Sequence, residues 1–531
     1  MGWFSHSVDF SDLYYAWNHV SGKNRFLIKA LPTFDEREFM VGLHPLDIIV
    51  LLCYLLGILF IGLWVSKTVK TTGDFFLAGR KLGKFMTAML NFGTGTHSDQ
   101  AVGVISKVYT VGLAGIWYQW LWLMKTPFDW VMSAIWRRLR VVTCADYFKT
   151  RYSLSVGTLY ALLAIVILMQ NIGTMLLGSS RIVVAITDGQ IPFGVSVIGM
   201  TILFVLYGMA GGFTAAAITD AIQGLLTVVL SFMILPYGLM RVGGFSGLHE
   251  KLAGAEYDMF SLVTPGEITI FFIFMATLNG IINISVQPHT IPISVACKTE
   301  MDSRIGVTYG ILIKRICTIA WAFTGLCAIA LLPTLDNPDH AFGEIARLLL
   351  PAGLIGLLLA SVIAAVQSSC DALMVTASGI FTRNIYSVYF EKNKSDKHYL
   401  FVARISSLFV VAGSLAFAFY MPNVIAALEL FWKIPALMGI PFWMGIVWRR
   451  ANPASVWVSF IAATTVFLLC EVGIFKVSLP WEMVAYLSAG FIGAIVTGIV
   501  TKPQPKEQLN PFYENLKNPV DKMEKLATDT M

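Results

Sequence analysis

Charge is scarce in this chain. Only 13% of its 531 residues are Asp, Glu, Lys or Arg, against 56% hydrophobic, and the mean hydropathy is +0.70. So little charge excludes a water-soluble globular protein. The seven cysteines (Cys53, Cys144, Cys297, Cys317, Cys327, Cys370, Cys470) show no metal-type spacing, which leaves them as small apolar packing residues. Residues 1–44 contain no basic stretch leading into an apolar run, so no cleavable signal peptide is expected. The net charge of +6 requires no nucleic-acid partner, because the basic residues are distributed as membrane topology predicts.

What the chain does have is a succession of apolar runs of about 20 residues, the length a helix needs to cross the hydrocarbon. Thirteen spans are expected, at 46–65, 85–108, 113–135, 154–186, 193–209, 212–239, 269–287, 307–332, 354–378, 400–420, 424–447, 455–474 and 483–500. The class is therefore an all-α polytopic membrane protein. It divides into an extracytoplasmic segment over 1–44, with surface helices at 10–17 and 25–31, a transmembrane domain over 45–500 and a solvated cytoplasmic tail over 501–531. Loops assigned inside, tail included, hold 23 of the 38 Lys and Arg, and those assigned outside hold eight. That bias places the N-terminus outside and the C-terminus in the cytoplasm of a cell (inner) membrane.

The second span contains Asn91-Phe92-Gly93-Thr94-Gly95-Thr96-His97-Ser98-Asp99-Gln100. Two glycines, two threonines, a histidine and an aspartate make a poor continuous membrane helix. Irregular backbone at membrane depth is tolerated only where it is buried in protein or lines a cavity. The stretch reads as a helix unwound near the midplane, its freed carbonyls turned to an ion or solute, or as a helix merely bent by Gly93 and Gly95. The seventh span is also interrupted. Asn279-Gly280 lies within it, Asn283 and Gln287 follow, and Pro288 and Pro292 end it. Two broken segments at matching places in halves of opposite direction point to a transporter site.

Other candidates lie deep in apolar spans. Ala365, Ser368, Ser369 and Asp371 share the ninth. Adjacent hydroxyls are oxygen donors that need no deprotonation, as a hard cation requires, although membrane serines also bond their own backbone. Asp220 follows the Gly211-Gly212 turn and is expensive there unless beside a cation or paired with Lys314 or Arg315. Gln119, among the aromatics Trp117 to Trp122, is placed to reach a cavity, and Lys433 faces a cavity or pairs with Glu429 one turn away.

With these residues in place, the chain resembles the sodium/solute symporter family, which includes sodium-coupled sugar, sialic acid and proline carriers. The similarity covers about residues 45–500. It is carried by Asp74-Phe75-Phe76-Leu77-Ala78-Gly79-Arg80, by Gly211-Gly212-Phe213 with Thr219-Asp220 and Gln223, and by Leu349-Leu350-Pro351-Ala352-Gly353-Leu354 leading to Ser368-Ser369 and then Ile380-Phe381-Thr382-Arg383-Asn384. The resemblance implies a leucine-transporter-like fold of two inverted five-helix repeats with flanking helices. It implies a sodium ion as cofactor, held by the carbonyls of Gly93, Thr96 and Ala365 and the hydroxyls of Ser368 and Ser369. Asp220 and Asp371 stand where relatives with a second sodium draw ligands, although one hydroxyl has become a carboxylate. Gln100 matches a sugar-contacting position, and Gln119 stands where sugar carriers have a glutamate. Two departures leave the solute open: His289-Thr290-Ile291-Pro292 replaces the usual Gln-Arg pair, and Lys433 stands where sugar carriers usually lack a lysine.

The function expected is therefore sodium-coupled import of a small polar solute. Asp99, Gln100, Gln119, Asn279 and Asn283 favour a sugar or polyol as that solute, whereas Lys433 argues for a carboxylate. A transporter-like sensor would need a signalling domain that the short tail does not supply. An enzyme using His97 and Asp99 would lack a nucleophile motif. The partners implied are the solute, sodium and the lipid bilayer, with no nucleic acid and no obligate protein.

Overall fold

A computed structural model describes residues 42–66 and 82–520 except 256 and 333, without the side chains of 59, 61–66 and 207–222. The expectations for residues 1–41, the motif at 74–80, the side chains of the motif at 207–220 including Asp220, and residues 521–531 lie outside the described residues.

Apart from an isolated β-bridge between Leu82 and Cys297, the regular elements among the described residues are helices. In chain order they are α1 (Pro45–Ser66), α2 (Lys84–Gly95), α3 (Ser98–Val111), α4 (Thr126–Arg138), α5 (Cys144–Arg151), α6 (Leu154–Ile186), α7 (Phe193–Val242), α8 (Gly244–Leu252), α9 (Ile270–Ile284) and α10 (Thr290–Val295). There follow α11 (Glu300–Leu331), α12 (Ala341–Leu349), α13 (Leu354–Ile380), α14 (Asp396–Tyr420), α15 (Val424–Val447), α16 (Pro453–Glu471), α17 (Leu479–Val500) and α18 (Lys506–Lys517). Side-chain oxygens of Thr143, Ser153, Thr269, Thr299, Asn423 and Asn452 cap the N-termini of α5, α6, α9, α11, α15 and α16. Each such cap is worth about 1 kcal/mol. Nine helical segments among the described residues are long and apolar enough to cross a membrane, and Pro45–Ile58, Phe193–Leu206 and Ile270–Ile284 are shorter apolar ones. The middle of the bundle is α6, α13 and α15, largely buried, while α14, α16 and α17 present Phe409, Ile461 and Phe491 outward.

Four elements depart from the sequence-based expectations. The span at 113–135 is not one helix. It is a 3-10 turn (Gly112–Ile116), a single turn Trp117–Trp120 and α4, with turns at 121–125 between. Gly115 lies so close to the previous helix that a Cβ there would sit 2.4 Å from the Val108 nitrogen, and Pro127 opens α4. The spans at 193–209 and 212–239 are continuous backbone in α7. Glycine lowers helix propensity but keeps its N–H, so Gly211-Gly212 does not oblige a break. The seventh span runs unbroken through Asn279-Gly280 as α9 and unwinds at 285–289, where Pro288 has no N–H to offer. The tail is not wholly solvated, because α18 buries Leu509, Phe512 and Tyr513, one apolar stripe at helical spacing.

One long-range cap ties α1 to the helix carrying the two serines. Asp47, 1% exposed, accepts hydrogen bonds from Gly353 N (2.6 Å) and Gly356 N (2.8 Å) at the start of α13. The capping position itself is Gly353, which has no side chain for the orphan donors. Replacing Asp47 by Ala removes a charged acceptor worth about 1.5–3 kcal/mol. A lower unfolding midpoint of the purified protein is expected, with Asp47→Asn intermediate. An unchanged midpoint in Asp47→Ala would show that α13 needs no such cap.

Candidate functional site

The second span is unwound where its composition indicates. Helix α2 ends at Gly95, Thr96 and His97 are extended, and α3 starts at Ser98. The carbonyls of Gly93, Thr94 and Gly95 at the end of α2 have taken partners beyond the helix. Gly93 O accepts Thr96 N (3.4 Å) and the Ser369 hydroxyl (3.3 Å). Thr94 O is bonded to His97 Nε2 (2.9 Å). Gly95 O accepts Lys314 Nζ of α11 and Gln100 Nε2 (3.3 Å). A cation at this end is also favoured by the helix dipole. On the other side α6 presses close: a Cβ on Gly178 would lie 2.5 Å from the Asp99 Cα, and Ser179 hydrogen-bonds to Ser98.

This geometry brings the sequence-predicted cation ligands together. Ser369 Oγ reaches Gly93 O at 3.3 Å, and Ser368 Oγ lies 3.4 Å from Ala365 O. Oxygens at right angles around one hard cation, each about 2.4 Å from it, lie about 3.4 Å apart. The Gly93–Ser369 pair, which joins α2 to α13, has the edge length of such a polyhedron, whereas the Ser368 contact is the bond a helical serine makes to its own backbone one turn back. Thr96, expected to offer its carbonyl, is fully buried at the break, and its Oγ1 has no hydrogen-bond partner among the described residues, an orphan that a cation would satisfy. The donor set is all oxygen and fits sodium. Asp371 is 2% exposed and accepts a hydrogen bond from Ala372 N (2.7 Å). Neither Lys314 nor Arg315 forms an ion pair with it: Lys314 goes to Gly95 O, and Arg315 donates to Gln119 O.

A cavity of about 100 Å³ adjoins the break. Its wall includes His97, Gln100, Lys125, Asp129, Gln287, His289, Lys314 and Arg315. Asp99, 3.3 Å from His97 Nδ1, stands behind it. Gln119 does not line the cavity, although its carbonyl accepts from Arg315, which does; its Oε1, like those of Gln100 and Gln287, is buried without a partner. Lys125, Asp129, His289, Lys314 and Arg315 were not expected here. The sequence places the first two inside the third span, 113–135. Pro127 was the only sequence signal that the span breaks just before them.

Three other candidates do structural work. Asn279 and Asn283 both donate to Trp432 O (2.9 and 3.1 Å), and Asn279 Oδ1 accepts from Tyr486 OH (2.8 Å). They anchor α9 to the stretch of α15 that Pro435 weakens. Lys433 does not pair with Glu429, which accepts from Tyr118 OH at 2.7 Å. It lies between Glu471 (2.6 Å) and Glu482 (3.0 Å) of α16 and α17. Lys433→Gln is expected to lower the unfolding midpoint by stranding Glu482, 7% exposed, and adding Glu482→Gln to recover most of the loss. Solute affinity should stay put; a selective fall in carboxylate affinity at unchanged midpoint would restore Lys433 to the solute path.

A larger cavity of about 510 Å³ opens at the far end of α13, lined among others by Asp146, Lys149, Arg383 and Asn384. Within it Arg383 lies 3.3 Å from Asp146, which also accepts from Asn384 (2.8 Å).

The family model described as the sodium:solute symporter family matches residues 75–463. The chain belongs to that family. It is 24% identical to the osmoregulated proline transporter OpuE of Bacillus subtilis over 86% of this chain and 96% of that one. It is 26% identical to sodium/myo-inositol cotransporter 2 of Oryctolagus cuniculus (90% and 74%) and to the sodium/pantothenate symporter of Haemophilus influenzae (80% and 91%). The solved sodium-coupled sialic acid symporter, in its substrate-bound outward-open state, superposes with a TM-score of 0.75 at 21% identity, covering 87% of this chain and 98% of that one. The transporter Mhp1 gives 0.55 at 12% identity, over 84% and 99%. The fold is thus leucine-transporter-like, in a multi-pass membrane protein whose relatives are transporters.

Proposed function

We propose that this protein is a sodium-coupled secondary active symporter that imports a small polar organic solute by alternating access, with its N-terminus outside and its C-terminus in the cytoplasm of a cell (inner) membrane. The observation that carries the reading is the meeting of Gly93 O with the Ser369 hydroxyl at 3.3 Å beside the unpartnered Thr96 hydroxyl. That donor set suits a hard, desolvated cation whose arrival joins the α2 break to α13. The bound ion supplies a fixed charge; Thr96, Ser368 and Ser369 hold and orient it. A ligand shifts an alternating equilibrium only by its differential affinity for the two states, and ligands from both elements supply that difference. The test is uptake into proteoliposomes under an inward sodium gradient, with choline replacing sodium as the comparison. Equal uptake in choline would overturn the coupling.

A sugar or polyol remains one solute reading, supported by the unpartnered acceptors of Gln100, Gln119 and Gln287 and by relatives named for myo-inositol and glucose. A carboxylate is the other.

A further inference from the structure

The cavity at the break has too many cations for a neutral solute. Lys125, Lys314 and Arg315 line it, and they are 3%, 9% and 5% exposed. Lys125 is answered by Asp129, which it contacts through both oxygens at 2.8 and 3.0 Å. Lys314 and Arg315 have no carboxylate within ion-pair distance among the described residues. Each is held only by a backbone carbonyl, Gly95 O and Gln119 O. Arg315 Nε is buried without a partner, as is His289 Nδ1 on the same wall. Buried cations in a membrane interior are costly unless an anion joins them. Asp129 is the one carboxylate among the lining residues, and it is already taken by Lys125.

We infer that the solute is a monocarboxylate whose anionic group docks against Arg315 and Lys314. This deepens the transport reading and rests on it. A guanidinium offers five donors in a planar fork suited to a carboxylate, and only one of them is shown engaged with Gln119 O. A carboxylate placed there answers the two cations directly, whereas a polyol offers them no opposite charge. The lysine that sequence reasoning assigned to this task, Lys433, is already balanced by two glutamates.

The experiment uses the full-length protein in proteoliposomes and matched probes: pantothenate and panthenol, N-acetylneuraminate and its methyl ester, gluconate and glucose, with myo-inositol alongside. Uptake is measured with and without a sodium gradient, and unfolding midpoints are measured with each probe. At least one carboxylate should bind ten or more times tighter than its neutral counterpart. Arg315→Gln should weaken that carboxylate by about tenfold or more, with Arg315→Lys retaining part of it. The ester and alcohol comparisons need no variant, so they hold if Arg315→Gln fails to fold. Equal binding of the neutral counterpart, or sodium-driven uptake confined to uncharged solutes, would overturn the proposal. So would a protein that sodium stabilises but no carboxylate does. Selective carboxylate binding without any sodium dependence would instead keep the anion site and remove the coupling.

Discussion

Replacing Ser368 and Ser369 together by alanine is expected to raise the sodium concentration for half-maximal uptake about tenfold or more, a loss near 1.4 kcal/mol of ion binding. The Ser369 hydroxyl donates to the Gly93 carbonyl of α2, and the Ser368 hydroxyl donates to the Ala365 carbonyl one turn back on α13 itself. Losing them leaves the carbonyls to hold a cation whose remaining shell is incomplete. Folding should change little, because alanine buries no orphan donor and is a good helix former. The unfolding midpoint in sodium-free buffer should therefore match the parent, and the sodium-induced rise in midpoint should shrink. A double variant with unchanged sodium dependence would remove these residues from the ion site.

Arg151→Ala is expected to have the largest effect on stability, about 3 kcal/mol or more. The Arg151 side chain is fully buried and donates to Gly445 O (2.8 Å), Trp448 O (3.1 Å), Ala451 O (3.1 Å), Gln504 Oε1 (2.8 Å) and Tyr513 OH (3.3 Å). One guanidinium thus satisfies the carbonyls at the C-terminal end of α15, where four orphans are expected, and pins α18 through Tyr513. Its removal strands those acceptors in the protein interior. The readouts are the unfolding midpoint and the rate of proteolysis within 506–517, which should rise as α18 comes away. Arg151→Lys should recover only part, since an ammonium lacks the planar fork. An unaltered midpoint and cleavage rate in Arg151→Ala would show that α18 is held by its apolar face alone.

The break in the second span was legible because its signal is local. His97 and Asp99 are each costly in a lipid-crossing helix, Gly93 and Gly95 beside them weaken it further, and no tertiary contact is needed to see it. The pairing of that break with Ser369 rested on the family resemblance, and the 3.3 Å contact with Gly93 O gives it physical content. An amide in an apolar helix, as at Asn279 and Asn283, carries the same signal whether it faces a solute or a neighbouring carbonyl. Trp432 O claims both, and only the packing of α9 on α15 could decide that. Lys433 misled for the same reason: its two carboxylates come from α16 and α17, 38 and 49 residues further along.

By itself, the sequence determined the solvent, the all-helical class, the family and the position of the α2–α3 break. Those follow from composition, from apolar periodicity and from groups whose burial is costly wherever they land. The tertiary structure alone decided which buried charges answer one another. The third span opens at 121–125 because Gly115 packs against Val108 and Pro127 restarts the helix, and this opening sets Lys125 and the Gln119 carbonyl beside Arg315. A charge inside a membrane protein is defined by what lies within a few ångströms of it. That neighbourhood is assembled from helices that the linear sequence keeps far apart.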